Sequence, residues 1–154
     1  MINLGSKVKD SISGFEGVAF ERQDFMYGCA RIVIEPCELN TDGSVRDSQV
    51  FDEQRVEIVE AEKPFIYPPH AVKMGSKVKD RISGFSGIAT AIAVTIHGVQ
   101  HVAIEPDKCH EGKPVKACWF NAQRIELVEE KSPPVSKQSS ARSGGPDTGS
   151  WSRK

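Results

Sequence analysis

Hydrophobic and polar residues alternate over several short stretches of this chain, and turn residues separate the stretches about every 8 to 12 positions. No stretch has the period of an amphipathic helix. The pattern predicts five short β-strands in each of two consecutive segments, and therefore an all-β fold. In the first segment the strands lie around Val8 and at 18–26, 29–35, 49–52 and 55–59. In the second they lie around Val78 and at 88–96, 99–105, 118–121 and 124–128.

The two segments are copies of one unit. The string Gly5–Asp10 recurs letter for letter at Gly75–Asp80. With an offset of 70, residues 4–36 align on 74–106 without a gap, and 16 of the 33 positions are identical. Residues 51–60 then align on 120–129, after a loop that is one residue shorter in the second copy. Such self-similarity indicates a tandem duplication.

The duplication predicts four parts: repeat 1 at 1–60, a proline-rich linker at 61–73, repeat 2 at 74–130 and a basic tail at 131–154. A unit of this size is marginal alone, so the copies are expected to support each other. In the linker, Phe65, Ile66 and Tyr67 predict packing against a repeat. The tail is rich in Ser, Gly and Pro, which predicts disorder, and residues beyond Ser132 are expected to be mobile and dispensable for folding.

Charge is distributed unevenly along the chain. Repeat 1 has 6 Lys/Arg and 12 Asp/Glu, a net charge of −6. Residues 74–129 have 7 and 6, a net charge of +1, and residues 130–154 have 5 and 2, a net charge of +3. The acidic first repeat does not favour nucleic-acid binding. Without a signal peptide or a long apolar run, the protein is expected to be cytoplasmic, to keep reduced thiols and to have no membrane partner.

Alternation also predicts the buried residues, because side chains on one face of a strand are two positions apart. The predicted first core is Val8, Ile12, Ile32, Ile34, Val56 and Ile58. The predicted second core is Val78, Ile82, Val102, Ile104, Ile125 and Leu127.

The repeats diverge most along the long second strand, where residues 20–27 and 90–97 share no identity. The first version is charged and aromatic, and the second is apolar and small. We therefore expect Ala91, Ala93 and Thr95 to be covered by the linker, by repeat 1 or by another chain. Glu21 and Gln23 are expected to remain in solvent.

The sequence does not indicate an enzyme. It lacks the Gly-Lys-Ser/Thr ending of a phosphate-binding loop and any nucleophile motif. The four cysteines have no zinc-ligand spacing, and none forms a Cys-x-x-Cys pair. We therefore predict no catalytic residue, no metal and no cofactor.

The candidate binding residues recur in both copies or are aromatic residues near the predicted turns and closing strands. Phe15 lies between two glycines, where it either plugs the fold or lines a binding groove. Arg55, at the start of the last predicted strand, either binds phosphate or carboxylate groups of a ligand or pairs with Asp10 or Glu57. Asp10 and Asp80 are expected to pin the loops that follow them. The full set of candidates is Phe15, Phe85, Arg55, Arg124, Trp119, Tyr27, His97 and Lys79.

The order of elements resembles an SH3-like barrel of the KOW or Tudor type. The residues Gly5, Val8, Asp10, Ser13-Gly14-Phe15, Gly17 and Gly28-Cys29 resemble a motif of short proteins encoded by phages and prophages. Their closing Trp-Phe-Asp-x-x-Arg element is similar to Val50-Phe51-Asp52 with Arg55, and to Trp119-Phe120-Asn121 with Arg124. Repeat 1 lacks the Trp of that element, and repeat 2 lacks its Asp.

The resemblance implies two tandem five-stranded SH3-like barrels and a viral accessory protein in the host cytoplasm. The leading hypothesis is an anti-defence protein that binds and inhibits a host protein. The alternatives are a sponge for a small anionic ligand, such as a signalling nucleotide, and a virion or assembly component. Whether the protein forms a homo-oligomer stays open.

Overall fold

The structure, a computed structural model, describes residues 1–130, so the predicted mobility of the tail lies outside the described residues. These residues form an all-β fold of antiparallel strands, as predicted. The strands of repeat 1 are β1 Lys7–Asp10, β2 Glu16–Phe25, β3 Arg31–Glu35, β4 Gln49–Asp52 and β5 Val56–Glu60. Those of repeat 2 are β6 Lys77–Asp80, β7 Ser86–Thr95, β8 Gln100–Glu105, β9 Cys109–His110, β10 Lys113–Pro114, β11 Cys118–Asn121 and β12 Ile125–Glu129.

Two kinds of element were not predicted. A single 3-10 turn precedes the last strand of each repeat, at Glu53–Arg55 and Ala122–Arg124. The strands β9 and β10, each two residues long, form a hairpin inside the polar loop of repeat 2. The 3-10 turns explain why β5 and β12 begin one residue later than the alternation suggested.

Each repeat has the same strand order. In repeat 1, β5 pairs with β1, β1 with β2, β2 with β3 and β3 with β4; in repeat 2 the corresponding order is β12-β6-β7-β8-β11. One edge of the long strand β2 pairs with two different strands. Its first half pairs with β1, and its second half pairs with β7 of the other repeat. Ten strands are thereby joined in one sheet.

The β2–β7 junction has an internal two-fold symmetry. Gln23 lies opposite Ala93, its own equivalent at the offset of 70, and the flanking pairs are Glu21 with Thr95 and Phe25 with Ala91. Two further backbone bonds obey the same symmetry, from Met26 N to Thr90 O (2.8 Å) and from Ile96 N to Phe20 O (2.7 Å). The contact between the repeats is therefore isologous, like the interface of a two-fold homodimer.

The junction confirms one part of the predicted interface and corrects another. Ala91, Ala93 and Thr95 are at most 7% exposed, so the apolar strand is covered as expected. Its cover is β2, the strand whose Glu21 and Gln23 were expected to remain in solvent. Both residues are half-buried because they lie in the pairing itself.

Each repeat has its own hydrophobic core. Val8, Ile32, Ile34 and Val56 are buried in the first core, as predicted. The second core contains Val78, Val102, Ile104 and Ile125, also as predicted. The first core also contains four residues that were not predicted, Ile2, Leu4, Ala19 and Phe51.

Four core predictions are wrong. Ile12 and Ile82 are 76% exposed, because β1 and β6 end at Asp10 and Asp80 and the alternation stops there. Ile58 and Leu127 are 46% and 50% exposed. In β5 and β12 only the first residue is buried, since these strands lie at the ends of the strand order and the core covers only their beginning.

The second glycine of the Ser-Gly-Phe-x-Gly motif allows two strands to approach closely. A Cβ on Gly17 would lie 2.2 Å from the carbonyl oxygen of Glu35, and one on Gly87 would lie 2.1 Å from that of Glu105. No side chain fits at such a distance, so glycine is required where β2 passes β3 and where β7 passes β8.

The linker packs along the molecule, as predicted for two of the three residues that the sequence singled out. Phe65 and Tyr67 contact the first core and each other, with ring centroids 4.8 Å apart. The Tyr67 hydroxyl donates to Ile2 O (3.0 Å). Further along, the side chain of Gln100 on β8 bonds to Pro69 O and Ala71 N. Ile66 is 90% exposed, so its predicted packing is wrong.

We predict that Ile34→Ala lowers the free energy of unfolding by about 2–5 kcal/mol, because it empties a fully buried aliphatic position. Urea denaturation measures the change. Ile58→Ala, at a half-exposed position of the same repeat, is the control and should cost clearly less. Equal losses in the two variants would contradict the assignment of the core.

We predict that Ala93→Arg lowers the melting temperature, because the new side chain has no room at a position that is 2% exposed on the axis of the junction. Tyr27→Arg, at an exposed hairpin tip, serves as the control. Calorimetry gives the melting temperature, and light scattering after size exclusion reports association. A variant that matches the wild type in both would show that the junction tolerates an added charge.

Candidate functional site

A buried carboxylate holds each repeat together. Asp10 has no exposed surface, and Arg55 binds it with two hydrogen bonds, Nε to Oδ1 (2.9 Å) and Nη2 to Oδ2 (2.7 Å). The backbone N and the hydroxyl of Ser13 also donate to Oδ2, at 2.7 and 2.6 Å. Asp10 therefore pins the loop that follows it, as predicted, and Arg55 pairs with Asp10 rather than with Glu57.

Repeat 2 reproduces this arrangement. Arg124 donates to both oxygens of Asp80, at 2.9 and 2.8 Å, and Ser83 donates from its N and its hydroxyl. Burial raises the pKa of Asp10, but the bonds from Arg55 and Ser13 outweigh it and lower this pKa to about 2. The hydrogen bond from Arg124 likewise lowers the pKa of Asp80 below its usual range, against the effect of burial. Both carboxyl groups are therefore charged at neutral pH.

The paired arginines also contact aromatic rings. The guanidinium carbon of Arg55 lies 5.5 Å from the ring centroid of Phe51, and Arg124 lies at the same distance from Phe120. Phe15 packs on Phe51 at 5.6 Å, and Phe85 on Phe120 at 5.4 Å. The two loop phenylalanines are half-buried against the cores, which favours the plug interpretation over the binding groove.

A shallow pocket of about 240 Å³ lies beside the Phe15 loop. Its two cationic side chains already have carboxylate partners, Lys7 with Glu16 at 2.8 Å and Arg46 with Glu38 at 3.6 Å. The pocket thus offers an incoming anion no cation without a partner.

Three other candidates lie apart from one another. Tyr27 is 83% exposed at the β2–β3 hairpin, where it lines a cleft of about 250 Å³ with Ile88 and Thr90 of repeat 2. His97 is its counterpart, exposed at the β7–β8 hairpin, with its ring centroid 6.2 Å from that of Phe20. Lys79 is exposed on β6. The structure brings none of these three into one site.

Trp119 lies on a surface that we call the outer sheet face. Residues that are paired across neighbouring strands lie on the same side of a sheet. By this criterion one side of the six strands β4-β3-β2-β7-β8-β11 carries Val50, Asp52, Arg31, Val33, Glu21, Gln23, Phe25, Ala91, Ala93, Thr95, His101, Ala103, Trp119 and Asn121.

A row of side chains in contact crosses this face. The ring centroids of Trp119 and Phe25 are 6.5 Å apart at an interplanar angle of 83°. The guanidinium carbon of Arg31 lies 5.1 Å from the centroid of Phe25, and Arg31 Nε donates to Asp52 Oδ1 (3.2 Å). Trp119 remains 44% exposed at the end of the row.

The small residues between Trp119 and Phe25 explain the row. Trp119 lies opposite Ala103, Ala103 opposite Ala91, and Ala91 opposite Phe25. The backbones of the two aromatic residues are three strand spacings apart, about 14 Å. Their side chains meet because the small alanine side chains leave the space above the sheet between them open. The alanines are 1% and 4% exposed because the rings cover them.

Sequence reasoning identified Trp119 but missed Phe25 and Arg31. A signal for their placement was present, since a hairpin at Tyr27-Gly28 sets Gln23 opposite Arg31 and puts Phe25 on the same face. The contact of Phe25 with Trp119 requires the β2–β7 pairing, which no local pattern predicts.

The opposite side of the junction is closed. Arg22 is 8% exposed there, and its guanidinium binds Asp24 and Glu53. Glu53 also accepts a hydrogen bond from Ile2 N, at 2.8 Å. The linker residue Tyr67 lies beside this ion-pair cluster and, with Arg22 and Asp24, lines a cleft of about 430 Å³. In the described part of the chain, no buried side-chain N or O atom lacks a partner.

No family model, curated protein or solved structure matches the chain. Within residues 1–130, no helix is long and apolar enough to span a membrane. The same residues contain no group of three His, Cys, Asp or Glu side chains arranged to hold a metal ion. All four cysteines are exposed thiols outside any disulfide.

We predict that acid destabilises the fold through Asp10 and Asp80. Their pKa values are lower in the folded chain than the unfolded value of about 3.9, so their stabilising contribution is complete above about pH 4. It is lost progressively as the pH falls from the unfolded value of about 3.9 towards and through the lower folded values, of which that of Asp10 is about 2. Urea midpoints between pH 5 and pH 2 should therefore fall steadily.

The variant Asp10→Asn tests the origin of this dependence. We expect it to be less stable than the wild type at pH 7, because Arg55 loses its anionic partner, and to lose less stability on acidification. Asp47→Asn, in an exposed loop, controls for the removal of any carboxylate. An unchanged slope of stability against pH in Asp10→Asn would assign the acid sensitivity to other groups.

Proposed function

We propose that this protein is a non-catalytic binding protein and that the outer sheet face holds another protein. The observation that carries the proposal is the row Trp119, Phe25 and Arg31 on the outer sheet face, with Trp119 44% exposed at its end. Tryptophan and arginine are enriched among residues that dominate the energy of protein interfaces. A half-exposed Trp119 supported by an aromatic and a guanidinium group is suited to anchor a partner.

We further propose that each repeat is a small SH3-like barrel. Support comes from the strand order β5-β1-β2-β3-β4, from the long second strand shared between two partners, and from the 3-10 turn before the last strand. The same features in repeat 2 support a tandem pair of such barrels.

The distribution of charge favours a protein partner over nucleic acid. The outer sheet face carries the acidic residues Glu21 and Asp52 with the single cation Arg31, which is already paired. Nucleic acid requires a basic surface, because neutralising phosphates supplies most of the affinity. The resemblance to phage and prophage proteins supports, in addition, a role as an accessory protein that inhibits a host protein.

The alternative of a sponge for an anionic nucleotide has less support. It relied on Arg55 and Arg124 to clamp phosphate groups. Each of these arginines instead uses its Nε and Nη2 to bind a buried carboxylate of its own repeat. A ligand phosphate would have to compete with a partner that is fixed in place.

The experiment is affinity capture from host cells with the wild-type chain and with Trp119→Ala. We expect the partner to bind the wild type and to lose about 30-fold in affinity for the variant, as for an interface residue worth about 2 kcal/mol. Tyr27→Ala, another exposed aromatic outside the outer sheet face, should bind like the wild type. A partner that is insensitive to Trp119→Ala would contradict the proposed surface.

Calorimetry with a panel of nucleotides separates the two hypotheses. Tight nucleotide binding that Arg124→Lys abolishes would favour the sponge instead. Folding of each variant is checked by its melting temperature, because Arg124 also stabilises repeat 2.

A further inference from the structure

We infer that the outer sheet face binds one partner per chain in one orientation, and that this partner presents an apolar anchor beside a basic patch. The inference rests on the proposed function and specifies the chemistry of the partner. Three observations carry it: the broken symmetry of the face, the position of its aromatic end and the charge of the loop at its other end.

The outer sheet face has a symmetric backbone with asymmetric side chains. The two-fold relation of the junction, with Gln23 and Ala93 at its axis, exchanges each position of repeat 1 on this face with its equivalent in repeat 2. All seven equivalent pairs on this face differ: Val50/Trp119, Asp52/Asn121, Arg31/His101, Val33/Ala103, Glu21/Ala91, Gln23/Ala93 and Phe25/Thr95. A face that kept its symmetry would present two equal sites, whereas this one presents a single aromatic row.

The core side of the repeats has not diverged in this way. Val8, Ala19, Ile34 and Phe51 are identical to their equivalents in repeat 2, and so is the pair Asp10–Arg55. The cores therefore kept these positions alike, while every equivalent pair on the outer sheet face changed. A face whose two halves differ at every position matches an asymmetric partner better than a symmetric one.

The two ends of the face differ in charge. The β3–β4 segment, residues 35–48, adjoins the end with Val33 and Val50 and carries Glu35, Glu38, Asp42 and Asp47 against Arg46, a net charge of −3. All five residues are exposed. The equivalent segment beside Trp119, residues 105–117, has three acidic and three basic residues, a net charge of zero.

The face thus runs from an apolar end to an acidic end. Trp119 and Val50 lie on its outermost strands, five strand spacings or about 24 Å apart across the sheet. A helix of about 16 residues has this length. A partner with an apolar anchor on Trp119 would place residues some four turns away at the acidic segment, where Lys and Arg side chains gain favourable electrostatic energy.

The test uses two synthetic 16-residue peptides that share Leu and Phe anchors at one end. The other end carries four Lys and Arg residues in one peptide and four Asp and Glu residues in the other. The chain has two tryptophans, so the Trp151→Phe variant leaves Trp119 as the single tryptophan reporter. We expect the basic peptide to shift the emission of Trp119 to shorter wavelength with a stoichiometry of one per chain.

Charge reversal locates the basic end of the peptide. The triple variant Glu38→Lys, Asp42→Lys, Asp47→Lys should weaken binding of the basic peptide at least tenfold and reduce its dependence on salt. The matched control reverses three charges in the other segment, Lys108→Glu, Lys113→Glu, Lys116→Glu, and should leave the affinity within about twofold. All these positions are exposed. The melting temperature of each variant is measured as well, because Glu38 pairs with Arg46 and Asp42 accepts hydrogen bonds from Ser44.

Other outcomes overturn the inference in distinguishable ways. If the acidic peptide binds as tightly as the basic one and Trp119→Ala abolishes both, the face binds protein but the charge assignment is wrong. Two equal sites per chain would show that the symmetry is functionally intact. If neither peptide binds, the partner chemistry is wrong, and the capture experiment with Trp119→Ala then decides separately whether the proposed function survives.

Discussion

The buried carboxylate of each repeat is the interaction on which the rest of the structure depends. Asp10 receives bonds from the loop after β1 and from the arginine that precedes β5, so it joins the beginning of the repeat to its end. Arg55 in turn lies over Phe51, on the strand that borders the outer sheet face. A charge without exposed surface is tolerated because four donors surround it.

The sequence determined the local structure well and the junction poorly. Alternation and the repeated glycines located the ten main strands. Because Asp10 and Arg55 both recur in repeat 2, the sequence offered their pairing as one alternative to ligand binding by Arg55. The errors at Ile12 and Ile58 arise where a strand ends or leaves the core, which depends on tertiary context. The row on the outer sheet face joins residues 94 positions apart through a strand pairing, and no local pattern encodes that pairing.

The junction shows how one interface accommodates two chemistries. On its closed side, Arg22 lies opposite Val94 and Asp24 opposite Ile92, so charged side chains face apolar ones. The charge of Arg22 is neutralised within repeat 1, because Arg22 binds Asp24 on its own strand and Glu53 in the 3-10 turn before β5. Repeat 2 has Ala122 in place of Glu53 and needs no counterion there. The backbone stays two-fold symmetric because each repeat satisfies its own polar groups.

The strand β2 is charged and β7 is apolar, and this difference matters for the nascent chain because β2 is synthesised first. The edge of β2 leaves the ribosome 70 residues before its partner, a delay of roughly 4–14 s at typical elongation rates. During that interval the edge is unpaired, and its charged residues Glu21, Arg22 and Asp24 discourage pairing with other chains. The apolar strand β7 is made later, when all of repeat 1 has already been synthesised. The first copy therefore keeps the charges that protect an exposed edge, whereas the second can consist of alanine, isoleucine and valine.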